Sequence, residues 1–345
     1  MKTVGVTVIP TTFKYLCGYN FLIHMGIKKR VIRGNAYYYL EKNIRIGESN
    51  WKTFYIYLGS AKPLVKELKK YEKILAKKID IFLRNHVIKP GTEFIDSKTA
   101  LLLERIKTSN SKILSKLSKD KRNAHIKTQR EAFITNTNAI EGSRLTLDQT
   151  KRILELKKEY NSKDREEIEV INMGKCLELY DEMLNKKIDL KEEKILYLHL
   201  ILLKAIPDYE SYTGTWRPVN VYIRGSKYEF PHWKEVPKMV KELLSWYVEN
   251  KNRIHPVELA AKFHSKFVTI HPFADGNGRM ARLLLNYILE LNGFPFVDIP
   301  FSKRDEYFKT QEEGHFGKYN SFVNFLVEEI KKQFKDLKKE FRKKN

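Results

Sequence analysis

His271-Pro-Phe-Ala-Asp275-Gly-Asn-Gly-Arg279-Met-Ala-Arg282 is the stretch on which the reading of this chain turns. It carries an imidazole able to act as a base, a carboxylate able to hold a metal, two glycines around an asparagine, and two guanidinium groups. These are the parts of a phosphate-handling site. Leu283, Leu284, Leu285, Ile288, Leu289 and Leu291 follow at helical spacing and stop at Asn292-Gly293, a good C-terminal signal. The glycine loop therefore lies at a helix start, where backbone N–H groups lack intrahelical partners and the dipole favours an anion. Gly276 and Gly278 let the backbone approach a phosphate with no Cβ in the way. Upstream, Pro256 at a first-turn position opens a helix whose apolar face (Ala260, Phe263, Phe267, Ile270) delivers the chain to His271. His264 on that helix reads as structural.

Moving outward, Ile126, Phe133 and Ile140 mark a helix that ends at Glu141-Gly142. Gly142 suits the residue just past a helix. Glu141 then sits in the last turn, where the dipole disfavours an acid by about 0.3–1 kcal/mol. Such a carboxylate makes sense if a cation from elsewhere meets it; the local alternative is Arg144. Thr146 and Gln149 form a capping box for the next helix. Residues 166–184 and 191–205 read as further helices, with His199 a hydrogen-bonded core residue among leucines. Residues 214–225 break the helical pattern and read as two short strands with a turn, closing near Phe230-Pro231, before a helix over 236–249.

The chain has 345 residues, 42% of them hydrophobic, and a formal charge of +23. That is enough for a core and a second part, with a strongly basic surface suited to nucleic acid or an acidic partner. The last 15 residues hold eight Lys/Arg against two acids, read as a solvated helix end. Cys17 and Cys176 are far apart and have no zinc spacing, so a reducing, cytoplasmic setting is expected. No apolar run reaches membrane-spanning length. Residues 1–25 do not read as a signal peptide, and Met25 is a candidate native start. Residues 36–58 read as a β-hairpin. One run holds Tyr37, Tyr38, Tyr39, Ile44 and Ile46, the other Trp51, Phe54, Tyr55, Ile56 and Tyr57, with Gly47–Asn50 as the turn. Lysines and arginines interleave with these aromatics in a way that could serve stacked bases; a small aromatic-cored sheet is the alternative. Lysine-rich helices over 62–86 and 96–119 form a spacer. The expected organisation is a β-containing module over 1–60, a helical spacer over 61–123 and a catalytic domain over 124–345.

Position by position, residues 271–282 resemble the signature of the Fic family, His-x-Phe-x-(Asp/Glu)-Gly-Asn-Gly-Arg-x-x-Arg, with every fixed position present. Thr137-Asn-Ala-Ile-Glu141-Gly142 is similar to the inhibitory motif of the class that carries its inhibitory helix in front of the core. The resemblance covers roughly residues 126–330. It implies a mainly α fold: a Fic-type helical core with a β-hairpin flap, here preceded by the small N-terminal β-hairpin module and the helical spacer. It further implies a protein adenylyltransferase that moves AMP from ATP to a Tyr, Thr or Ser hydroxyl of a protein, the chain itself included.

In that reading His271 is the general base, and Asp275 holds Mg²⁺, a hard cation suited to carboxylate and phosphate oxygens. The amides of Gly276, Asn277 and Gly278 cradle the phosphates, and the Asn277 side chain donates to the α-phosphate. Arg279 supports the phosphates and Arg282 grips the γ-phosphate. Tyr307 and Phe308 lie near the nucleobase; His315 stands where some relatives carry Asn. Gly214 and Arg217 match the Gly-x-x-Arg element before the flap, and Val221, Tyr222, Ile223, Tyr228 and Phe230 hold the target by strand addition. Glu141 pairs with Arg282 and inhibits. The same site could instead remove AMP or transfer UMP or phosphocholine, and the chain could act as a homodimer. From a different class, the basic N-terminal part could bind nucleic acid while the core stays silent.

Overall fold

The computed structural model describes residues 26–45, 51–86, 89–156, 164–222 and 226–342. Met25, Cys17, Ile46, the turn at Gly47–Asn50 and Ile223 lie outside the described residues. The chain divides into two compact units, residues 1–89 with 96–101, and residues 90–95 with 102–345.

The first unit is a three-stranded antiparallel sheet with a helix on one face. Its strands are β1 (Gly26–Ile32), β2 (Asn35–Arg45) and β3 (Trp51–Gly59), in the order β1-β2-β3. Residues 36–58 do form antiparallel strands, and β1 adds a third that the charged run Lys28-Lys29-Arg30 concealed. Ile32 pairs with Asn35 across Arg33 (φ 50°) and Gly34 (φ 83°), a two-residue turn with both residues left-handed, whose twist matches the strands. A register shift between Tyr38 and Tyr39 opposite β3 bends the ribbon. Helix α1 (Val65–His86) places Leu75, Ile79 and Leu83 at three-to-four spacing against Leu40, Ile44 and Phe54. Ile27, Ile56, Leu58 and Leu101 fill the margin of this small core.

Helix α2 (Ser97–Ser115) starts in the first unit and continues into the second. The second unit is helical: α3 (Lys119–Ile140), α4 (Leu147–Glu155), α5 (Arg165–Asn185), α6 (Glu192–Leu202), α7 (Val236–Asn250), α8 (Pro256–Ile270), α9 (Asn277–Leu291), α10 (Arg304–His315) and α11 (Asn320–Arg342). Among the described residues no helix is long and apolar enough to cross a membrane.

Helices α8 and α9 are buried along almost their whole length, and α5, α7, α10 and α11 pack around them. Helix α8 begins with Pro256 in its first turn, where the missing N–H costs nothing, and the His255 side chain caps Val257. The buried Glu258 carboxylate accepts from the backbone N–H groups of Glu93 and Phe94, at 3.0 and 2.8 Å, and pairs with Lys262 at 3.0 Å. It thereby pins residues 90–95 to the helix. Thr146 and Gln149 make the reciprocal cap expected at the start of α4. Helix α3 ends as expected too: Gly142 (φ 113°) turns the chain, and the Ser143 N–H returns to the Asn138 carbonyl at 3.0 Å.

The described residues from Gly214 to Pro231 form neither helix nor strand ladder; this segment is the arm. Alternating apolar residues gave it a strand pattern, but side chains rather than a ladder fix it, one from within the segment and one from α10. Arg217 holds its base. Near its return limb, Glu312 on α10 accepts from Ser226 Oγ at 2.8 Å and the Lys227 N–H at 2.9 Å.

Candidate active site

The loop between α8 and α9 is shaped by two left-handed residues. His271 (φ 51°) closes α8 and Gly276 (φ 78°) opens α9. A non-glycine residue holds that conformation only when its surroundings fix it. Here the Arg217 backbone N–H donates to the Pro272 carbonyl at 2.9 Å, and Arg217 Nε donates to the His271 carbonyl at 2.8 Å. Its other nitrogens donate to the carbonyls of Val219 (2.7 Å) and Pro231. Arg217 is a buried cation satisfied by backbone carbonyls, one of them at the negative end of the α8 dipole. Burial lowers its pKa, yet a guanidinium remains charged. Arg217→Met should leave three carbonyls without their donor. We expect a loss of about 1–3 kcal/mol in stability for each one kept from water, read as a fall in Tm. Lys, a point charge, should restore only part of it.

Inside the loop, Phe273 is fully buried and stacks on His199, with ring centroids 3.6 Å apart and planes within 4°. His199 Nδ1 accepts from the Gly214 N–H at 3.1 Å, so Nε2 carries the proton and donates to the Asp275 carbonyl at 3.1 Å. Burial pushes His199 down to about 4, which keeps this one-donor, one-acceptor form at neutral pH. The expected core histidine is thus also a brace between the Gly214 turn and the signature loop.

Asn277 closes the loop. Its Oδ1 accepts from the Phe273 N–H at 2.9 Å and its Nδ2 donates to the Phe273 carbonyl at 2.8 Å. Each amide atom makes one bond there, and the amide group has a second N–H donor.

His271 faces the arm. The Phe230 ring meets it edge-on at 4.8 Å, and His271 Nδ1 lies 3.3 Å from the Val268 carbonyl. A carbonyl can only accept, so the proton sits on Nδ1 and the Nε2 lone pair is available. Burial pushes the imidazole down to about 4; Arg217 and His315 add to this, while the Val268 carbonyl and Glu141 oppose it. His271 is therefore neutral at pH 7. Tyr228 stacks on His315 at 4.9 Å, and His315 Nδ1 lies 3.0 Å from Thr269 Oγ1. Tyr228 and Phe230 thus lie beside the histidine, whereas Tyr222 is 86% exposed at the outer limb and Val221 is half-buried.

Asp275 belongs to a square of alternating charges. Arg165 and Arg279 each reach its Oδ2 at 3.2 Å, and both also meet Glu169, at 3.1 and 3.2 Å. Its Oδ1 accepts from the Gly276 N–H at 2.7 Å. Arg279, expected on the phosphates, is buried between the two acids; its Nε has no hydrogen-bond partner. Arg165 and Glu169 escaped the sequence reading because they pair with residues about a hundred positions away, which leaves no local pattern.

Arg282 is fully buried at the first turn of α9. Nε donates to Thr137 Oγ1 at 2.8 Å, and Nη2 donates to the Thr137 carbonyl at 3.0 Å and to Glu141 Oε1 at 2.7 Å. Burial works against its charge, but Glu141 and Tyr307 outweigh it and raise its pKa. Glu141 lies close to the helix start as well: a Cβ built on Gly278 would come within 2.2 Å of Glu141 Oε1. The glutamate thus fills the very site, helix N-terminus plus guanidinium, that favours an anion.

Tyr307 sits behind Arg282 rather than in an open pocket. Its hydroxyl lies 3.4 Å from Arg282 Nη1 and 3.0 Å from the buried His264 Nε2. Phe308 is partly exposed, with the Arg304 guanidinium over its ring at 4.6 Å. His264 is structural, as expected; burial holds its pKa well below the usual value.

Residues 189–289 match the model of the Fic/DOC family. A protein adenylyltransferase fic-1 from Caenorhabditis elegans is 35% identical over 199 residues, 56% of this chain and 38% of its own length. A protein adenylyltransferase Fic from Nematostella vectensis is 34% identical over 197 residues, 56% of this chain and 45% of its own. This chain thus spans less than half the length of these curated relatives. Among solved structures, residues 134–508 of C. elegans Fic-1 superpose with a TM-score of 0.64 at 25% identity, covering 82% of this chain and 80% of that one. A Fic-domain signaling protein from Bacteroides thetaiotaomicron superposes with a TM-score of 0.60 at 25% identity, covering 67% and 93%. The loop from His271 to Arg282 thus lies within a segment, residues 189–289, that matches the Fic/DOC family.

Proposed function

We propose that the protein is an adenylyltransferase that moves AMP from ATP to a hydroxyl of a protein, held inactive by Glu141. The observation that carries this reading is the conjunction of a neutral His271 with a free Nε2, an α9 start able to take an anion, and a glutamate filling that anion site. The names of the relatives support the choice of nucleotide and acceptor.

In this mechanism the target hydroxyl lies against His271 Nε2 and gives up its proton there as its oxygen attacks the α-phosphorus. The bond from that phosphorus to the bridging oxygen breaks, and pyrophosphate leaves. The α9 N-terminus and Arg282 hold the phosphates, so positioning and charge neutralisation do most of the catalysis. Arg217 and His199 hold the loop in register beneath them. The arm, with Val221 and Tyr222 on its outer limb and Tyr228 and Phe230 beside His271, takes an extended target segment by strand addition. Its unladdered backbone leaves N–H and C=O groups for such pairing.

Among the described residues no group of three or more His, Cys, Asp or Glu side chains converges on a metal position. Asp275 alone, partly exposed on the glycine loop, suits an ion that arrives with a triphosphate, and Mg²⁺ is bound in that way. When bound, Mg²⁺ would neutralise phosphate charge. Asp275 must loosen from Arg165 or Arg279 to meet it. The two distant cysteines favour a cytoplasmic setting.

The test uses Glu141→Gly protein, Mg²⁺ and ATP labelled in either the α- or the γ-phosphate. Stable protein-bound label from the α position alone is expected. Label from γ would mean phosphorylation, and label from neither would remove adenylyl transfer. A second reading rests on Glu141 itself: bonded to Arg282 through Oε1, its side chain is still 33% exposed, enough to orient a water for removal of AMP. Release of AMP from a modified protein by wild type, but not by Glu141→Gly, would favour that direction.

A further inference from the structure

Helix α1 covers one face of the first unit's sheet. The opposite face carries Lys28, Arg30, Tyr37, Tyr39, Tyr55 and Tyr57, which the register places side by side. Tyr39 and Tyr57 are directly paired, with ring centroids 5.4 Å apart; Tyr37 lies 6.1 Å from Tyr57, and Tyr39 lies 6.0 Å from Tyr55. The Arg30 guanidinium lies 4.8 Å from the Tyr39 ring centroid and 5.7 Å from that of Tyr55. Tyr55 and Tyr57 remain 50% and 49% exposed. A sheet with one buried face ordinarily presents small or charged polar residues on the other. Four tyrosines packed together, two of them half open to water, are a costly way to fill a solvent face.

Charge identifies the occupant. Lys28 and Arg30 both reach Glu41, at 2.5 and 3.3 Å, so two cations share one acid on this face and positive charge is left over. Across residues 26–89 the sequence has sixteen lysines and arginines against five acids, a net of +11. An apolar protein partner would bury two cations that have one carboxylate between them; an acidic protein would not need the exposed rings. A chain that carries regular negative charge and flat π-faces meets both features at once.

We propose that this face binds single-stranded nucleic acid, with bases stacked on Tyr55 and Tyr57 and phosphates on Lys28 and Arg30. Stacking of this kind tolerates any base, and the phosphate contacts make binding fall with salt. The site is separate from the transferase chemistry proposed for the Fic domain and would stand if that chemistry failed.

The test is fluorescence anisotropy of the full chain with a labelled oligothymidylate, across a salt series. Wild type should bind, with log K falling linearly in log salt. Tyr55→Ala with Tyr57→Ala should weaken binding by about tenfold or more for each ring removed, whereas Tyr55→Phe with Tyr57→Phe should bind as wild type does. Lys28→Ala should lower the salt slope by about 0.7, the single-strand value for one phosphate. Unchanged affinity in the double alanine variant, with the fold intact by circular dichroism, would overturn the proposal. So would tighter binding to a duplex of matched length, which would make the face a groove reader, or concentration-dependent self-association that the oligonucleotide does not compete away. If the alanine variant unfolds, the phenylalanine pair decides, because loss of binding there would exclude stacking.

Discussion

Glu141→Gly should raise protein-bound AMP by about one to two orders of magnitude over wild type. In the wild-type protein the glutamate is itself the anion in the anion site: Oε1 bonds Arg282 Nη2 at 2.7 Å and crowds Gly278 at the α9 start. A triphosphate must displace it or bind askew. A hydrogen bond to a charged group contributes roughly 1.5–3 kcal/mol, and each 1.4 kcal/mol is about tenfold. Arg282 would not be stranded, because Thr137 and Tyr307 still accept from its other donors. It would still lose the carboxylate that it bonds, so the variant should melt below wild type without ligand. Its Tm should then rise more steeply with ATP, since the phosphate restores the missing charge. The measurement is label incorporation beside a thermal-shift series in ATP. Equal labelling of the two proteins would end the assignment of Glu141 as inhibitor, and an equal ATP-induced shift would separate Arg282 from the nucleotide.

That contact was legible through the resemblance, which pairs Glu141 with Arg282; the residues alone showed an acid at the wrong end of a helix dipole and left its cation open. The glycine loop was legible because residue type and spacing both constrain a backbone turn. What lay beyond reach depended on which way a side chain turns. Asn277 carries donors that suit a phosphate, and its bonds across Phe273, which brace the loop, left no mark in the sequence. Tyr307 was read as a nucleobase contact, but its ring is buried and its hydroxyl spans Arg282 and His264. Arg165 and Glu169 are exposed-looking charges on a helix start; only the fold brings them to Arg279 and Asp275. Strand β1 was hidden by charge, because a lysine-arginine run alternates poorly in hydropathy even where its backbone pairs in full register with β2.

His271→Ala in the Glu141→Gly background should cut labelling by about 10²–10⁴, the usual reach of a positioned general base, with ATP binding retained because the phosphates rest on α9 and Arg282. The pH dependence is the sharper result. An ordinary histidine with a pKa near 6.5 would lose its base form as the pH falls through 6.5. Burial holds His271 at about 4, so the neutral, proton-accepting form persists as the medium is acidified. Transfer should stay flat from neutral down to roughly pH 5 and decline only toward the lowered pKa. Stability runs in the same direction. His199 and His271 are both lowered to about 4, so the unfolded chain takes up protons first. The stability they confer is complete above about pH 6.5 and drains away as the pH falls through 4. Rates must therefore be taken beside near-ultraviolet circular dichroism, and only the range where the fold holds counts. An acid limb near 6.5 in folded protein would show that the group taking up the proton is not His271. Labelling undiminished in His271→Ala would remove it from the reaction altogether.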